Sequence, residues 1–284
     1  MSTIHPLACV DAKAELGRDV NVGPFAYIGP GVRVGDGCVV HHHASLLGPA
    51  EFGPANVFFP QCVVGGAPQD LKYKGGPTRL VTGRDNVFRE SVTVHRGTEV
   101  DRGSQGETRI GDNNLLMVGA HIAHDVHLGD NIILANNVLI AGHVKIEDRV
   151  NVGGGSAMHH FVTVGKYAYV GGMTRVTHDV PPFMKVLGYD QEVRGANGEG
   201  MRRWKIPDGS IAAVRRAWKL MYARHGVVLG IREIEANGLI DDPHVRYLVA
   251  FLKRKLEFGV FGRVREHFRE DADSDRESFY SAKS

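Results

Sequence analysis

Apolar residues recur at every sixth position along most of the stretch from Ile4 to Val176 in this 284-residue chain. The first run is unbroken and consists of Ile4, Val10, Leu16, Val22, Ile28, Val34, Val40, Leu46, Phe52, Phe58 and Val64. The second run consists of Ile110, Leu116, Ile122, Leu128, Leu134, Ile140, Ile146, Val152, Met158, Val164, Val170 and Val176. A period of six matches neither the 3.6-residue period of an α-helix nor the alternation of a simple strand, and it is typical of a parallel β-helix.

The residue two places before each periodic position is mostly small or valine, as at Ala26, Cys38, Ala44 and Ala120. Residues i and i−2 of a strand point to the same face, so we expect both to fill the interior. Glycine often follows the large residue, where it suits a sharp turn. We therefore predict a mainly β fold, a left-handed parallel β-helix of hexapeptide repeats with about 18 residues per coil.

The repeat is interrupted at about 66–81 and 95–109, and loops at such breaks often bind ligands. We expect the repeat domain to cover 1–182 and to close at Asp179-Val180-Pro181-Pro182, because consecutive prolines cannot donate to a further strand. A linker and a small C-terminal α-helical domain are expected at 183–270, with a first helix capped by Ser210. Further helices are expected at about 229–237 and 243–257, and the charged tail at 271–284 is expected to be disordered.

Bulk properties exclude several classes of protein. A formal net charge of +2 argues against general nucleic-acid binding. The start of the chain lacks a basic, apolar signal segment and no apolar run reaches membrane-spanning length, so we predict a cytoplasmic protein without a transmembrane segment. Cys9, Cys38 and Cys62 are expected to be small core residues. Residues 201–224 form a basic patch that suits an acidic protein or a phosphate group.

Histidines carry the candidate chemistry. A coil of about 18 residues stacks positions 124, 142 and 160 in one column, which we expect to be an exposed cluster on the outer surface. Asp125 beside His124 can fix the tautomer of the imidazole, as a general base requires. Gly142 offers a backbone N–H to a developing oxyanion. Since the column has no evident serine or cysteine nucleophile, these residues predict direct attack by a substrate hydroxyl or amine on an activated acyl group.

Seven short motifs resemble one family. They are the runs at 69–73 (QDLKY), 89–98 (RESVTVHRGT), 112–117 (DNNLLM), 120–125 (AHIAHD), 134–137 (LANN), 141–144 (AGHV) and 179–182 (DVPP). Together they are similar to the acyl-carrier-protein to UDP-N-acetylglucosamine O-acyltransferases that begin lipid A synthesis. The resemblance runs from residue 4 to about 225.

The resemblance implies a role for each matching residue. His124 would deprotonate the glucosamine 3-hydroxyl for attack on a 3-hydroxyacyl carrier protein thioester, Asp125 would support this base, and the Gly142 amide would stabilise the oxyanion. The remaining matches are substrate-binding residues at Gln69, Asp70, Lys72, His121, His143 and His159, residues for the uridine diphosphate end at Asn197, Glu199 and Arg203, and the acyl-length position Gly172, where glycine implies a long chain. The family further implies a homotrimer with sites between neighbouring columns. It implies no cofactor or metal, and the acyl donor is the acyl carrier protein thioester.

Two positions depart from the family pattern, and three alternatives stay open. His160 replaces a glutamine at the edge of the sugar site, and Trp204 replaces a second arginine. A 3-amino sugar would fit the same base and give an amide. A γ-carbonic-anhydrase-like zinc enzyme has a different histidine spacing, H-x4-H, from that of His121, His124 and His127. The third alternative is an inactive solenoid that serves as a binding scaffold.

Overall fold

The computed structural model describes residues 2–99 and 105–258. The chain winds repeatedly through three sheets, which form the three sides of a triangular column. Most strands have only two residues, and tight turns join each side to the next. The tail expected at 271–284 lies outside the described residues.

The three sheets are named in the order in which each coil visits them. The first sheet contains β1 (Thr3–Ile4), β4 (Asn21–Val22), β7 (Val39–Val40), β10 (Val57–Phe58), β13 (Val87–Phe88), β16 (Leu115–Leu116), β19 (Ile133–Leu134), β22 (Asn151–Val152), β25 (Tyr169–Val170), β27 (Met184–Leu187) and β28 (Glu192–Ala196). The second contains β2 (Cys9–Val10), β5 (Tyr27–Ile28), β8 (Ser45–Leu46), β11 (Val63–Gly66), β14 (Thr93–His95), β17 (His121–Ile122), β20 (Leu139–Ile140), β23 (Ala157–Met158) and β26 (Arg175–Val176). The third contains β3 (Glu15–Leu16), β6 (Val32–Val34), β9 (Ala50–Phe52), β12 (Arg79–Thr82), β15 (Glu107–Ile110), β18 (His127–Leu128), β21 (Lys145–Ile146) and β24 (Thr163–Val164).

Strand pairing is parallel, and its register follows the repeat. Asn21 pairs with Val39, which lies one regular coil further on. Across the first insertion Val57 pairs with Val87, and across the second Arg79 pairs with Glu107. The insertions therefore lengthen individual coils without shifting the phase of the strands that follow. Strands resume at Arg79 and Glu107, slightly earlier than the sequence pattern indicated.

The periodic residues form a continuous core along the axis of the column. Phe52, Phe58 and Phe88 are almost fully buried, and their neighbouring rings are 5.0 and 4.9 Å apart. The small partners Cys38 and Cys62 are also fully buried. The assignment of Cys9 to the core is wrong, because this residue is exposed on the outward face of β2.

The column does not end at the proline pair. Val180 forms a parallel bridge with Val164, and β27 then pairs in parallel with β25. Strand β28 adds to β27 in the antiparallel direction. The prediction of a stop at 179–182 was wrong because the prolines lie in a turn, where no ladder donor is needed. The segment expected to be a linker thus supplies the last strands of the first sheet.

Up to residue 258, where the described part of the chain ends, four helices follow, α1 (Gly198–Arg203), α2 (Asp208–Trp218), α3 (Val227–Ala236) and α4 (Pro243–Phe258), with a π-helical segment at Lys219–Arg224 and a 3-10 turn at Leu239–Asp241. Ile211, Val214 and Met221 are buried in a separate core that these helices share. Ser210 does not cap a helix as expected. It lies inside α2, and its hydroxyl donates to Asp242 Oδ2 at 2.6 Å.

Candidate active site

The expected stack of histidines lies on one corner of the column, between the second and third sheets. His124, Gly142 and His160 occupy the turns that follow β17, β20 and β23. However, the stack is largely covered and not exposed as expected, since the His124 and His143 side chains are only 14% and 5% accessible. The ring of Phe161 stacks on His143 with centroids 4.5 Å apart.

His124 and Asp125 form a hydrogen-bonded pair. The imidazole Nδ1 lies 2.8 Å from Asp125 Oδ2. A carboxylate accepts only, so this contact places the proton on Nδ1 and leaves the lone pair of the neutral ring on Nε2. His124 Nε2 lies 3.9 Å from Asp70 Oδ2, on the side of the first insertion. A neutral histidine held in this way has a free basic nitrogen facing a pocket.

The Asp125 carboxylate is completely buried. It accepts hydrogen bonds from the Thr98 amide at 2.8 Å and the Thr98 hydroxyl at 2.7 Å. The Asp125 backbone adopts a left-handed conformation, with φ of 59°, and its N–H donates to the Thr108 hydroxyl at 2.8 Å. These bonds offset the cost of burying the charge.

Gly142 lies directly against the His124 ring. A Cβ atom at this position would lie 2.5 Å from His124 Cε1. Among the described residues, no hydrogen bond is formed by the Gly142 N–H. The close approach requires glycine here and leaves a backbone donor beside the candidate base.

The first insertion closes a pocket of about 420 Å³ over this corner. The pocket is lined by residues of the first insertion and of the histidine corner. They are Gln69, Asp70, Leu71, Lys72, His124, Gly142, His143, His160 and Phe161. His159 lies at the edge, with its ring centroid 3.8 Å from that of His160. The structure thus brings together the expected residues Gln69, Asp70, Lys72, His124, Gly142, His143 and His160 around one pocket.

His121 extends the cluster along the second sheet. Its Nδ1 is 2.8 Å from the Thr93 hydroxyl, and its ring contacts that of His95 at 5.3 Å. Burial lowers the pKa of His121, and the neighbouring His95 and His124 lower it further. His121 is therefore favoured as a neutral imidazole.

A second pocket, of about 450 Å³, lies against the first sheet and α1. It is lined by Asn131, Ile133, Arg149, Val150, Asn151, Tyr169, Lys185, Asn197, Glu199, Gly200, Arg203 and Trp204. The Asn197 side chain is engaged internally, accepting from Gly200 N and donating to the Tyr167 carbonyl at 2.9 Å. Arg149 lies under Trp204, with its guanidinium carbon 4.8 Å from the ring centroid, and supplies a cation that the sequence pattern did not reveal.

These two pockets lie on different sides of the column. The histidine corner joins the second and third sheets, so it is opposite the first sheet, where Glu199 and Arg203 are found. Gly172 lies on yet another corner, in the turn from β25 to β26, where it is exposed. One chain therefore does not bring all the expected site residues to one place.

Asp70, His124 and His143 are the candidates for a metal ion within the described part of the chain. Each offers one ligand atom, and the three atoms lie within 4.8 Å of one another. The Nδ1 atom of His124 is already engaged by Asp125, so Nε2 is the nitrogen available to a metal.

Two family models match this chain. A model for the bacterial transferase hexapeptide (six repeats) matches residues 13–48 and 107–142, and a model for domain 2 of UDP-N-acetylglucosamine O-acyltransferase matches residues 179–260. The acyl-[acyl-carrier-protein]–UDP-N-acetylglucosamine O-acyltransferase of Saccharophagus degradans is 44% identical over 242 residues, covering 85% of this chain and 92% of the relative. The protein of the same name from Agrobacterium fabrum is 39% identical over 250 residues, covering 88% and 91%.

The chain belongs to this family of acyltransferases.

Solved structures agree with this assignment. LpxA from Acinetobacter baumannii superposes with a TM-score of 0.83 at 40% identity and covers 88% of this chain and 96% of its own. The UDP-N-acetylglucosamine acyltransferase of Francisella novicida gives a TM-score of 0.81 at 31% identity, with coverage of 87% and 90%. These likenesses confirm the predicted fold class, a left-handed parallel β-helix followed by a helical part. In the described residues, no helix is long and apolar enough to cross a membrane.

Sequence reasoning missed several residues of the candidate site. Phe161 lies one coil after His143, so the coil register could have placed it on the imidazole. Thr98 ends the motif at 89–98, but its contact with Asp125 could not be inferred because it lies in an insertion without a period. Arg149 gave no comparable signal, because it reaches Trp204 from a different element.

Proposed function

We propose that this chain transfers a 3-hydroxyacyl group from an acyl carrier protein thioester to the 3-hydroxyl of UDP-N-acetylglucosamine, the first step of lipid A synthesis. The observation that carries the mechanism is the His124–Asp125 hydrogen bond, which leaves Nε2 of a neutral imidazole facing the pocket. The names of the curated relatives support the acyl donor and the acceptor.

In the proposed reaction, His124 Nε2 accepts the proton of the sugar 3-hydroxyl as its oxygen attacks the thioester carbonyl carbon. The Gly142 N–H donates to the oxyanion of the tetrahedral intermediate. When the C–S bond breaks, the proton passes from His124 to the departing thiolate. Asp125 stabilises the imidazolium between these two steps. Gln69, Asp70, Lys72, His121, His143, His159 and His160 position the sugar and the acyl carbonyl.

The uridine diphosphate end is assigned to the second pocket. Arg149, Lys185 and Arg203 place cations there, as a pyrophosphate requires. We assign Asn197 a supporting role at the start of α1, because its amide is used within the protein. Glu199 is left to contact the nucleoside. Gly172 sets the acyl length in this proposal.

A homotrimer would unite the two pockets. The outward face of the first sheet carries an apolar ladder, with Val39, Val57, Val87, Leu115 and Ile133 all partly covered. The outward face of the third sheet is charged instead, at Glu15, Arg33, Glu51, Arg109 and Lys145. In the proposed trimer, the apolar face packs against a neighbouring column, which buries the ladder, and Arg203 of one protomer faces the histidine corner of the next.

Mixed protomers test this arrangement. The single variants His124→Ala and Arg203→Ala are each expected to be impaired, but their co-assembled mixture should regain activity, because some sites then combine His124 from the Arg203→Ala protomer with Arg203 from the His124→Ala protomer. A mixture no more active than its components would contradict sites shared between chains. Light scattering of the wild-type protein measures the oligomeric state directly.

Product analysis tests the reaction itself. The wild-type protein is incubated with UDP-N-acetylglucosamine and a mixed pool of acyl carrier proteins, and the product is identified by mass spectrometry. We expect an acylated nucleotide sugar that hydroxylamine cleaves, as an ester is cleaved. A product resistant to hydroxylamine would indicate an amide, and stoichiometric zinc with no acyl product would favour the metal site at Asp70, His124 and His143.

A further inference from the structure

Thr98 makes two of the hydrogen bonds that hold the Asp125 carboxylate. Its backbone N–H donates to Oδ1 at 2.8 Å, and its hydroxyl donates to Oδ2 at 2.7 Å. Oδ2 also accepts the 2.8 Å hydrogen bond from His124 Nδ1. Thr98 is fully buried, as is the carboxylate. One residue therefore contacts both oxygens of the group that orients the base.

The backbone around Thr98 is fixed by close packing. Next to it, Gly97 approaches the other end of the second insertion so closely that an added Cβ atom would collide with the carbonyl carbon of Gly106. The Gly97 N–H donates to the Arg79 carbonyl at 3.3 Å. Thr98 is thus held at the base of the insertion, where the chain leaves and re-enters the column.

The residues on either side of this segment connect it to the first insertion. Glu99 Oε1 accepts the Lys74 N–H at 2.6 Å. The Arg96 guanidinium donates to the Gly65 carbonyl at 3.2 Å and to the Tyr73 hydroxyl at 3.3 Å. The segment that holds Asp125 therefore also holds the loop that carries Asp70.

We propose that Thr98 is a positioning residue for the His124–Asp125 pair. Its hydroxyl and amide fix the carboxylate plane, so that Oδ2 receives the Nδ1 proton and Nε2 stays aimed at the substrate hydroxyl. A carboxylate that lost the hydroxyl donor would be more basic and less constrained. This inference rests on the proposed function, in which His124 is the general base.

The test compares Thr98→Val with Thr98→Ser in the full-length protein. Valine keeps the size of threonine and removes the hydroxyl, whereas serine retains it. We expect kcat for acyl transfer to fall about 10- to 100-fold in Thr98→Val, as for the loss of a hydrogen bond to a charged group, with KM for the nucleotide sugar unchanged. Thr98→Ser should recover most of the rate. Thr82→Val, which removes another buried threonine hydroxyl that contacts Asn56 and Gly83 and not the pair, should keep wild-type kcat.

The pH profile and the imidazole spectrum give readouts that simple destabilisation would not change. A more basic carboxylate stabilises the imidazolium, so the acid limb of kcat/KM should move to higher pH in Thr98→Val. The other titratable groups that face the pair are Asp70, Lys72, His121, His143 and His160, and they are the same in every variant. In nitrogen NMR, the wild-type His124 should be protonated on Nδ1, and Thr98→Val should show a mixture of tautomers.

The outcomes separate this inference from the proposed function. A wild-type protein that fails to transfer acyl groups would overturn the function, while the NMR comparison would still test the positioning role. An active wild type, combined with a Thr98→Val variant that keeps kcat, acid limb and tautomer, would overturn the positioning role. If Thr98→Val does not fold, Thr98→Ala removes the same hydroxyl without added bulk, and the same measurements decide.

Discussion

Two corners of the column carry groups of histidines, and the imidazoles differ in whether they contact a buried carboxylate. His41, His42 and His43 lie in the turn from the first to the second sheet and make ring contacts, as where His43 stacks on Phe25 at 5.0 Å. Among the described residues, none of these three imidazoles hydrogen-bonds a carboxylate. At the other corner, His124 contacts a buried carboxylate under a covering loop.

The difference shows what converts a repeated turn into a candidate site. The coils themselves supply only positions, because each corner presents its side chains at the same spacing along the column. The two insertions add the rest, since the first covers the corner with Asp70 and the second holds Asp125 through Thr98. Histidine number alone therefore does not predict chemistry on this scaffold.

Removing the charge of Asp125 should abolish most of the activity that distinguishes the His124 corner from the other histidine corner. We expect Asp125→Asn to lower kcat by about a thousandfold, because an amide can present its NH2 group to Nδ1 and favour the wrong tautomer. Steady-state kinetics with purified acyl carrier protein measure this loss. Asp36→Asn alters an exposed carboxylate paired with Arg18 and should leave the rate unchanged. Equal rates for both variants would contradict the role of Asp125.

A side chain at position 142 would crowd the His124 ring and should lower kcat less than Asp125→Asn does. The Cβ of Gly142→Ala would lie 2.5 Å from His124 Cε1, so the ring must move away from the oxyanion donor. We expect kcat to fall about 100-fold while the fold persists, a loss comparable to that of one oxyanion donor. Gly209→Ala, in α2 with open space around its Cβ, is the matched control and should be slightly stabilising. A fully active Gly142→Ala variant would remove the argument for this close approach.

The smallest predicted effect is on the pH dependence of the free energy of unfolding. Burial lowers the pKa of His121 from its usual value of 6.5, so the unfolded chain takes up this proton more readily than the folded chain. Stability associated with the neutral imidazole is therefore fully present above pH 6.5 and is lost as the pH falls from there toward the lowered pKa. Urea unfolding of His121→Gln should show a weaker loss on acidification than the wild type. His43→Gln, at the exposed corner, should follow the wild-type curve.

Most of the column could be predicted from the sequence, because the residues at every sixth position share one property, burial in the core. Phe58 and Val152 are buried as their phase requires, but Ile4, in the first strand, is 47% exposed. The last strands, β27 and β28, were not predicted because the proline pair at 181–182 was interpreted as the end of the column. Strand β27 then pairs beyond it.

The candidate site also contains residues that the repeat or the motifs predicted and contacts that they did not. His124, Gly142 and His160 follow from the coil register alone, and Asp70 came from the motif that resembles the family. Thr98 stands in the motif at 89–98, but its contact with Asp125 could not be inferred, since a loop without a period gives no phase from which to infer contacts. The burial of the histidines was also missed, because it depends on how the first insertion folds over the corner.

The most direct test of the account replaces the base itself. His124→Ala and His42→Ala are each compared with the wild type for acyl transfer to UDP-N-acetylglucosamine, with thermal unfolding as the measure of fold. The account predicts that His124→Ala loses at least about a thousandfold in kcat with unchanged unfolding, while His42→Ala keeps the wild-type rate. A His124→Ala protein that transfers acyl groups at the wild-type rate would contradict it.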